Sequence, residues 1–311
     1  MPNPFYMSFP GLGIEPFQVN KIAFTLFGRE VAWYGVIICI GLLLAFGYGC
    51  LTTKKEKISM DDYLNMMLLL IPFGILGARL YHVLMELDYY KGRPFVEWIA
   101  IWNGGGAING TIIAGILVTV CYCLAKKIKI TRALDAFAPA LLIGQFIGRW
   151  GNFVNGEAFG SETAVAWRMG LGFTENIEHF YHPTFLYESL WNVALFLIIH
   201  FLLYRKKHYD GEIILFYVAF YGAGRFLVEQ FRIDNSPIVF GMRIAGLVGL
   251  LCFVLFGALF VLGFVKAAKK EENAPALAEG EELSDEIPAE PEETTTETNN
   301  TNESENEHDP A

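Results

Sequence analysis

Seven stretches of this 311-residue chain stay apolar over about the 20 residues needed to cross a bilayer core. They cover roughly 31–52, 63–85, 107–125, 133–152, 184–204, 212–231 and 242–265. That pattern predicts an all-α polytopic membrane protein with seven transmembrane helices. Composition agrees: 53% of residues are apolar and 15% aromatic, above the range of an ordinary soluble domain. The fourth segment carries the weakest signal, because it contains Asp135, Pro139 and Gln145 and ends near Arg149.

The linkers predict the orientation. Lys54, Lys55 and Lys57 follow the first segment, and Lys126, Lys127, Lys129 and Arg132 follow the third. Arg205, Lys206 and Lys207 follow the fifth, and Lys266, Lys269 and Lys270 the seventh. Basic linkers stay in the cytoplasm, so the N-terminus is expected outside and the C-terminus cytoplasmic. The other linkers then face outward. Residues 86–106 place Trp98 and Trp102 near the interface, and residues 153–183, too long for a turn, are expected to form a small outer-face domain or lid. The first 20 residues lack a basic segment leading into a short apolar one, so no cleaved signal peptide is expected.

The overall charge misleads. Residues 271–311 hold 15 Asp or Glu and no Lys or Arg, and without them the formal −10 becomes +5 for residues 1–270. The expected organisation is a seven-span membrane domain over 1–270 and an acidic, disordered cytoplasmic tail over 271–311. No nucleic-acid partner is indicated. The five cysteines all fall in apolar segments, without the spacing of a metal or redox motif, and read as packing residues.

Polar side chains at membrane depth are costly unless paired or wet, which makes them functional candidates. Arg79, Tyr81 and His82 lie toward the outer end of the second segment, in "GARLYHV". Arg149 and Asn152 share a helix face in the fourth, with Asn155 extending it and Glu157 following. In the sixth, Tyr221, Arg225, Glu229 and Arg232 are spaced by 4, 4 and 3. At about 100° per residue they form one stripe about 80° wide. The plain reading is structural: an intrahelical Arg225–Glu229 pair, and Arg232 snorkelling to the interface. Yet Arg79, Arg149, Arg225 and Arg232 outnumber Glu157 and Glu229 nearby. Guanidinium groups match phosphate bidentately, so the set points to a phosphate-bearing amphiphile or a small anion.

These residues also carry a resemblance. "GRWGNFVNGEAFG" (148–160) is similar to the signature of the bacterial prolipoprotein diacylglyceryl transferase family. "WYG" (33–35), "GARL" (77–80), "HPTFLYES" (182–189) and "YGAGRFLVEQFR" (221–232) follow the family's order over about residues 20–265. The resemblance implies a multi-pass enzyme of the bacterial cytoplasmic membrane. Its reaction would move the sn-1,2-diacylglyceryl group of phosphatidylglycerol to the lipobox cysteine thiol of prolipoproteins, releasing glycerol 1-phosphate without a cofactor. Matching positions make Arg149 and Arg225 the phosphate clamp. Asn152, Asn155 and Glu157 would position the headgroup, and Tyr34, Tyr221 and Glu229 would orient arginines and substrate.

One block departs from the family. "WNGGGAINGT" (102–111) places Asn109 where many members carry a His considered as a base. Asn takes up no proton near neutral pH. Either His182 or Glu157 serves instead, or the thiol ionises beside the arginines and Asn109 only donates a hydrogen bond. His182-Pro183 also reads simply as a helix entry, and His82 as structural. Glu188, a turn inside the fifth segment, is a further candidate partner for an arginine. Two other functions fit the arginines: a lipid or anion transporter, and a family member that binds lipid without turnover.

Overall fold

The computed structural model describes residues 3–233, 238–239 and 241–272. The acidic segment expected over 271–311 therefore lies almost wholly outside the described residues. In chain order the elements are β1 (Phe5–Phe9), β2 (Ile14–Val19), β3 (Ile22–Leu26), β4 (Arg29–Ala32), α1 (Trp33–Lys55), α2 (Met60–Met85), α3 (Leu87–Tyr90) and α4 (Phe95–Ile99). Then follow α5 (Ile108–Lys126), α6 (Ile130–Asn155), β5 (Met169–Gly172), β6 (Phe180–Tyr181), α7 (Thr184–Phe201), α8 (Glu212–Glu229), β7 (Ile238–Val239), β8 (Met242–Arg243) and α9 (Ile244–Glu272).

Among the described residues, six helices are long and apolar enough to cross a membrane: α1, α2, α5, α6, α7 with the turn after it, and α9. The chain is a polytopic membrane protein. Its surface is inside-out relative to a soluble domain: Leu43 and Leu68 are exposed on the helices, while Asp135, Glu188 and Glu229 are buried. α8, the expected sixth crossing, falls outside this set. It has 18 residues, about 27 Å of helix, and carries Glu212, Arg225 and Glu229.

α6 is the central element, with α1 and α7 against it and α8 between α7 and α9. Leu142 of α6, Leu195 and Ile199 of α7, and Ile213 and Phe216 of α8 form one buried cluster. The proline that weakens the α6 hydropathy signal has a use here. Pro139 lacks the N–H that would bond the Asp135 carbonyl four residues back, and the Tyr204 hydroxyl donates to that carbonyl instead, at 2.9 Å.

An all-α expectation misses the β structure. β1, β2, β5 and β6 form a four-stranded antiparallel sheet in the order β2-β1-β5-β6. Phe5, Met7 and Val19 meet Met169 and Leu171 across it, packing on Phe153 and Phe185 at the end of α6 and start of α7. The 153–183 segment thus does not fold alone; half of its sheet comes from residues 5–19. Each strand is too short to read as a strand without its distant partner. β3–β4 and β7–β8 are separate hairpins.

Candidate active site

The signature segment closes α6. Gly156 ends the helix in the left-handed conformation (φ 62°), and the chain turns so that Glu157 accepts from both preceding amides. Asn152 Nδ2 donates to Glu157 Oε1 at 2.9 Å and Asn155 Nδ2 at 3.2 Å. Arg149 Nη1 donates to Asn152 Oδ1 at 3.2 Å. One row therefore runs Arg149, Asn152, Glu157, Asn155, from the bundle interior to an exposed carboxylate. Gly151 explains how Tyr34 joins it: a Cβ there would lie 2.8 Å from the Tyr34 ring, so only glycine lets the first turn of α1 rest on α6.

The row meets α7 and α8 at Glu188. This carboxylate is buried, with 5% of its side chain exposed, and three arginines contact it. Arg149 Nη2 lies 2.5 Å from Oε2, Arg225 Nη1 donates to Oε1 at 2.9 Å, and Arg232 Nη1 lies 3.4 Å from Oε1. Arg225 Nη2 also donates to Glu229 Oε2 at 2.7 Å. Glu229 is in turn fixed through its carbonyl, which accepts from Arg243 Nη1 at 2.9 Å. The intrahelical Arg225–Glu229 pair is present, but it is one arm of a cluster spanning three helices. Tyr221, a turn before Arg225, stacks on Tyr217 at 5.7 Å and shares a small cavity with Glu188 and Arg225.

Two strand-like contacts hold this assembly in register. Gly160 N donates to the His182 carbonyl at 2.8 Å, and Ser161 N to the Phe231 carbonyl at 2.6 Å. The segment after the signature is thereby stitched to the entry of α7 and the exit of α8, where Arg232 sits. His182 Nδ1 lies 3.0 Å from the Tyr187 hydroxyl, which accepts from Trp167 Nε1 at 2.7 Å. The Tyr187 hydroxyl thus links Trp167 to His182 and holds the imidazole through Nδ1. Burial holds His182 below the ordinary histidine value, which keeps the ring neutral.

Two expected residues stand apart. Arg79 is 6% exposed, but it binds the loop before α5 rather than an anion. Its guanidinium donates to the carbonyls of Glu97 (2.5 Å), Trp98 (3.0 Å), Gly104 (2.7 Å) and Gly105 (3.0 Å). His82 lines the same cavity, of about 310 Å³, with Glu86 and Tyr89. Asn109 is exposed in the first turn of α5, and among the described residues no hydrogen bond joins it to the arginines. Sequence reasoning underweighted Glu188, whose depth in an apolar helix was the signal. It missed Arg243 and Trp167, which carry no local pattern.

Bundle, buried carboxylates and converging arginines define a class: a multi-pass membrane protein with a charged site enclosed by three of its helices. The chain belongs to the prolipoprotein diacylglyceryl transferase family, whose model matches residues 21–262. It is therefore an enzyme, a transferase. A phosphatidylglycerol–prolipoprotein diacylglyceryl transferase of Finegoldia magna is 35% identical over 255 residues, covering 82% of this chain and 100% of the relative. Relatives with the same activity in their names, from Clostridium perfringens and Listeria innocua, are each 38% identical. Each covers 82% of this chain, with 98% and 93% of the relatives' own lengths matched.

Proposed function

We propose that this chain transfers the sn-1,2-diacylglyceryl group of phosphatidylglycerol to the lipobox cysteine thiol of prolipoproteins, the first step of lipoprotein maturation. The thiolate sulfur attacks C3 of the glyceryl group, the C3–O bond breaks, and its electron pair leaves on the phosphate of glycerol 1-phosphate. The thiol proton passes to solvent or to the departing phosphate. A departing phosphate oxygen needs fixed positive charge in a place poor in water. The observation that carries the reading is the meeting of Arg149, from the signature, and Arg225 on one buried carboxylate, Glu188.

In this reading Arg149 and Arg225 clamp the phosphate, exchanging part of their contact with Glu188 for it. Arg232 and His182 border the same site. Asn152, Asn155 and Glu157 hold the glycerol headgroup, and Tyr34, Tyr221 and Glu229 orient the arginines. No protein base is required: the positive field lowers the thiol pKa. His182 Nδ1 is already engaged by the Tyr187 hydroxyl, and among the described residues Asn109 makes no hydrogen bond to the arginines, which favours this account. We further propose that α8 is the seventh crossing, its polar stripe turned to the bundle. The basic linkers then lie in the cytoplasm, and the four-stranded sheet faces outward from the bacterial cytoplasmic membrane. Residues 1–270 hold the transfer machinery and 271–311 an acidic appendage.

The test is transfer of glycerol-labelled diacylglyceryl from phosphatidylglycerol to a lipobox peptide by the purified full-length chain, beside Arg225→Ala. Thioether product with the wild type and none with the variant is the expected result. Lipid binding without product by a folded wild type would replace the proposal with a non-catalytic lipid binder.

A further inference from the structure

The β3–β4 hairpin is amphipathic and leaves its apolar face uncovered. In its register Phe24 pairs with Val31, Thr25 with Glu30 and Leu26 with Arg29. Alternate residues share a face, so Phe24, Leu26 and Val31 lie on one side with Arg29, and Thr25 and Glu30 on the other. Phe24 is 50% exposed, Leu26 52% and Phe27, at the tip, 97%. The tip is a two-residue turn with Phe27 at φ 50° and Gly28 at φ 75°. Turns of that type favour Asn-Gly, and a phenyl ring in the left-handed region is strained. A bulky apolar residue at the most exposed point of a turn that disfavours it must gain from something outside the chain.

What lies beside the hairpin indicates what covers it. Trp33 N, at the start of α1, donates to the Lys21 carbonyl at 2.8 Å, tying the hairpin base to the first turn of that helix. Along α1, Trp33, Ile40, Leu43 and Leu44 are exposed on the side away from the α6 contacts of Tyr34 and Ile38, as expected where a lipid-facing helix reaches the aromatic belt. The hairpin is thus tied to α1 at the level of that surface, and Arg29, on the hairpin's apolar face, suits anionic headgroups. A two-stranded hairpin is marginal on its own in water, and a bilayer supplies the missing partner. We infer that β3–β4 is an interfacial membrane anchor, with Phe24, Leu26 and Phe27 set into the headgroup–acyl boundary and Arg29 among the lipid phosphates. This rests on the polytopic fold and not on the transfer reaction.

The test uses the full-length chain in vesicles of phosphatidylglycerol and phosphatidylcholine, with a lipobox peptide present. A benzophenone amino acid replaces Phe24, Thr25, Phe27 or Glu30 in turn, and Leu43 as a lipid-facing control. After irradiation the mass of each adduct is read. All five positions except Thr25 and Glu30 are expected to yield phospholipid adducts several-fold above those two, with detergent melting midpoints unchanged. Equal labelling at 24, 25, 27 and 30, or lipid adducts at 43 alone, would overturn the anchor. Peptide adducts in place of lipid at 24 and 27 would overturn it too, and assign the face to the prolipoprotein.

Discussion

α6 ends in a charge cluster at both ends, and the two are built differently. At its start, Asp135 is fully buried, lies 2.7 Å from Lys207 Nζ, and accepts from the backbone amides of Gly211 (2.7 Å) and Ile214 (2.8 Å) at the start of α8. Lys207 also reaches Glu56 at 2.5 Å, and Asp210 is held by Arg132 and Lys129 at 3.1 and 3.0 Å. Here carboxylates and cations alternate, and backbone donors complete the set. At the other end three guanidiniums share one carboxylate, and the row runs outward to the exposed Glu157. The first cluster is closed by backbone donors and locks the entry of α8; the second gathers three guanidiniums on Glu188 and leads through Asn152 to the exposed Glu157. The two clusters both bury charge; they differ in how the charges are shared and in whether the row reaches an exposed group.

The largest separation between the two ends comes from paired substitutions. Arg149→Ala is expected to cut transfer by about a hundredfold or more, the scale of losing a fixed charge on a departing oxyanion, with a far smaller effect on melting. Asp135→Asn is expected to do the reverse. Breaking a buried pair costs about 3–5 kcal/mol, so melting falls sharply while turnover per folded chain holds. Equal losses of turnover in both would erase the difference between the two ends.

Asn109→Ala sharpens it further. Standing apart from the arginines, Asn109 is expected to matter by less than about tenfold, the worth of one hydrogen bond, in the same assay. A loss as deep as that of Arg149→Ala would place Asn109 in the reacting constellation. The smallest effect is on stability against pH. Burial works against the Asp210 carboxylate, but hydrogen bonds from Arg132 and Lys129 outweigh it and hold Asp210 below the usual range. Its contribution is thus present above the unfolded carboxylate pKa and lost as pH falls through the lower folded value. Acid melting curves of the wild type should converge on those of Asp210→Asn.

Much of the fold was legible because it depends on local composition. Six of the seven apolar segments emerge as helices able to cross a membrane, and α8 appears as a helix at the expected place, with its charges excluding it from that set. The signature row was legible too, since Arg149, Asn152 and Asn155 sit one helical turn apart. The sheet was not, because β1 and β5 are paired across about 160 residues and neither is periodic enough to declare itself.

What the sequence determined by itself is the set of long apolar helices, the polar stripe on α8 and the family signature, all fixed by spacing along one element. Only the tertiary structure decided which charges meet. Arg79, at membrane depth like the others, is consumed by four carbonyls of a neighbouring loop, whereas Arg149, Arg225 and Arg232 converge on Glu188. A guanidinium takes whichever acceptor the packing brings within about 3 Å, and that choice belongs to helices distant in the chain.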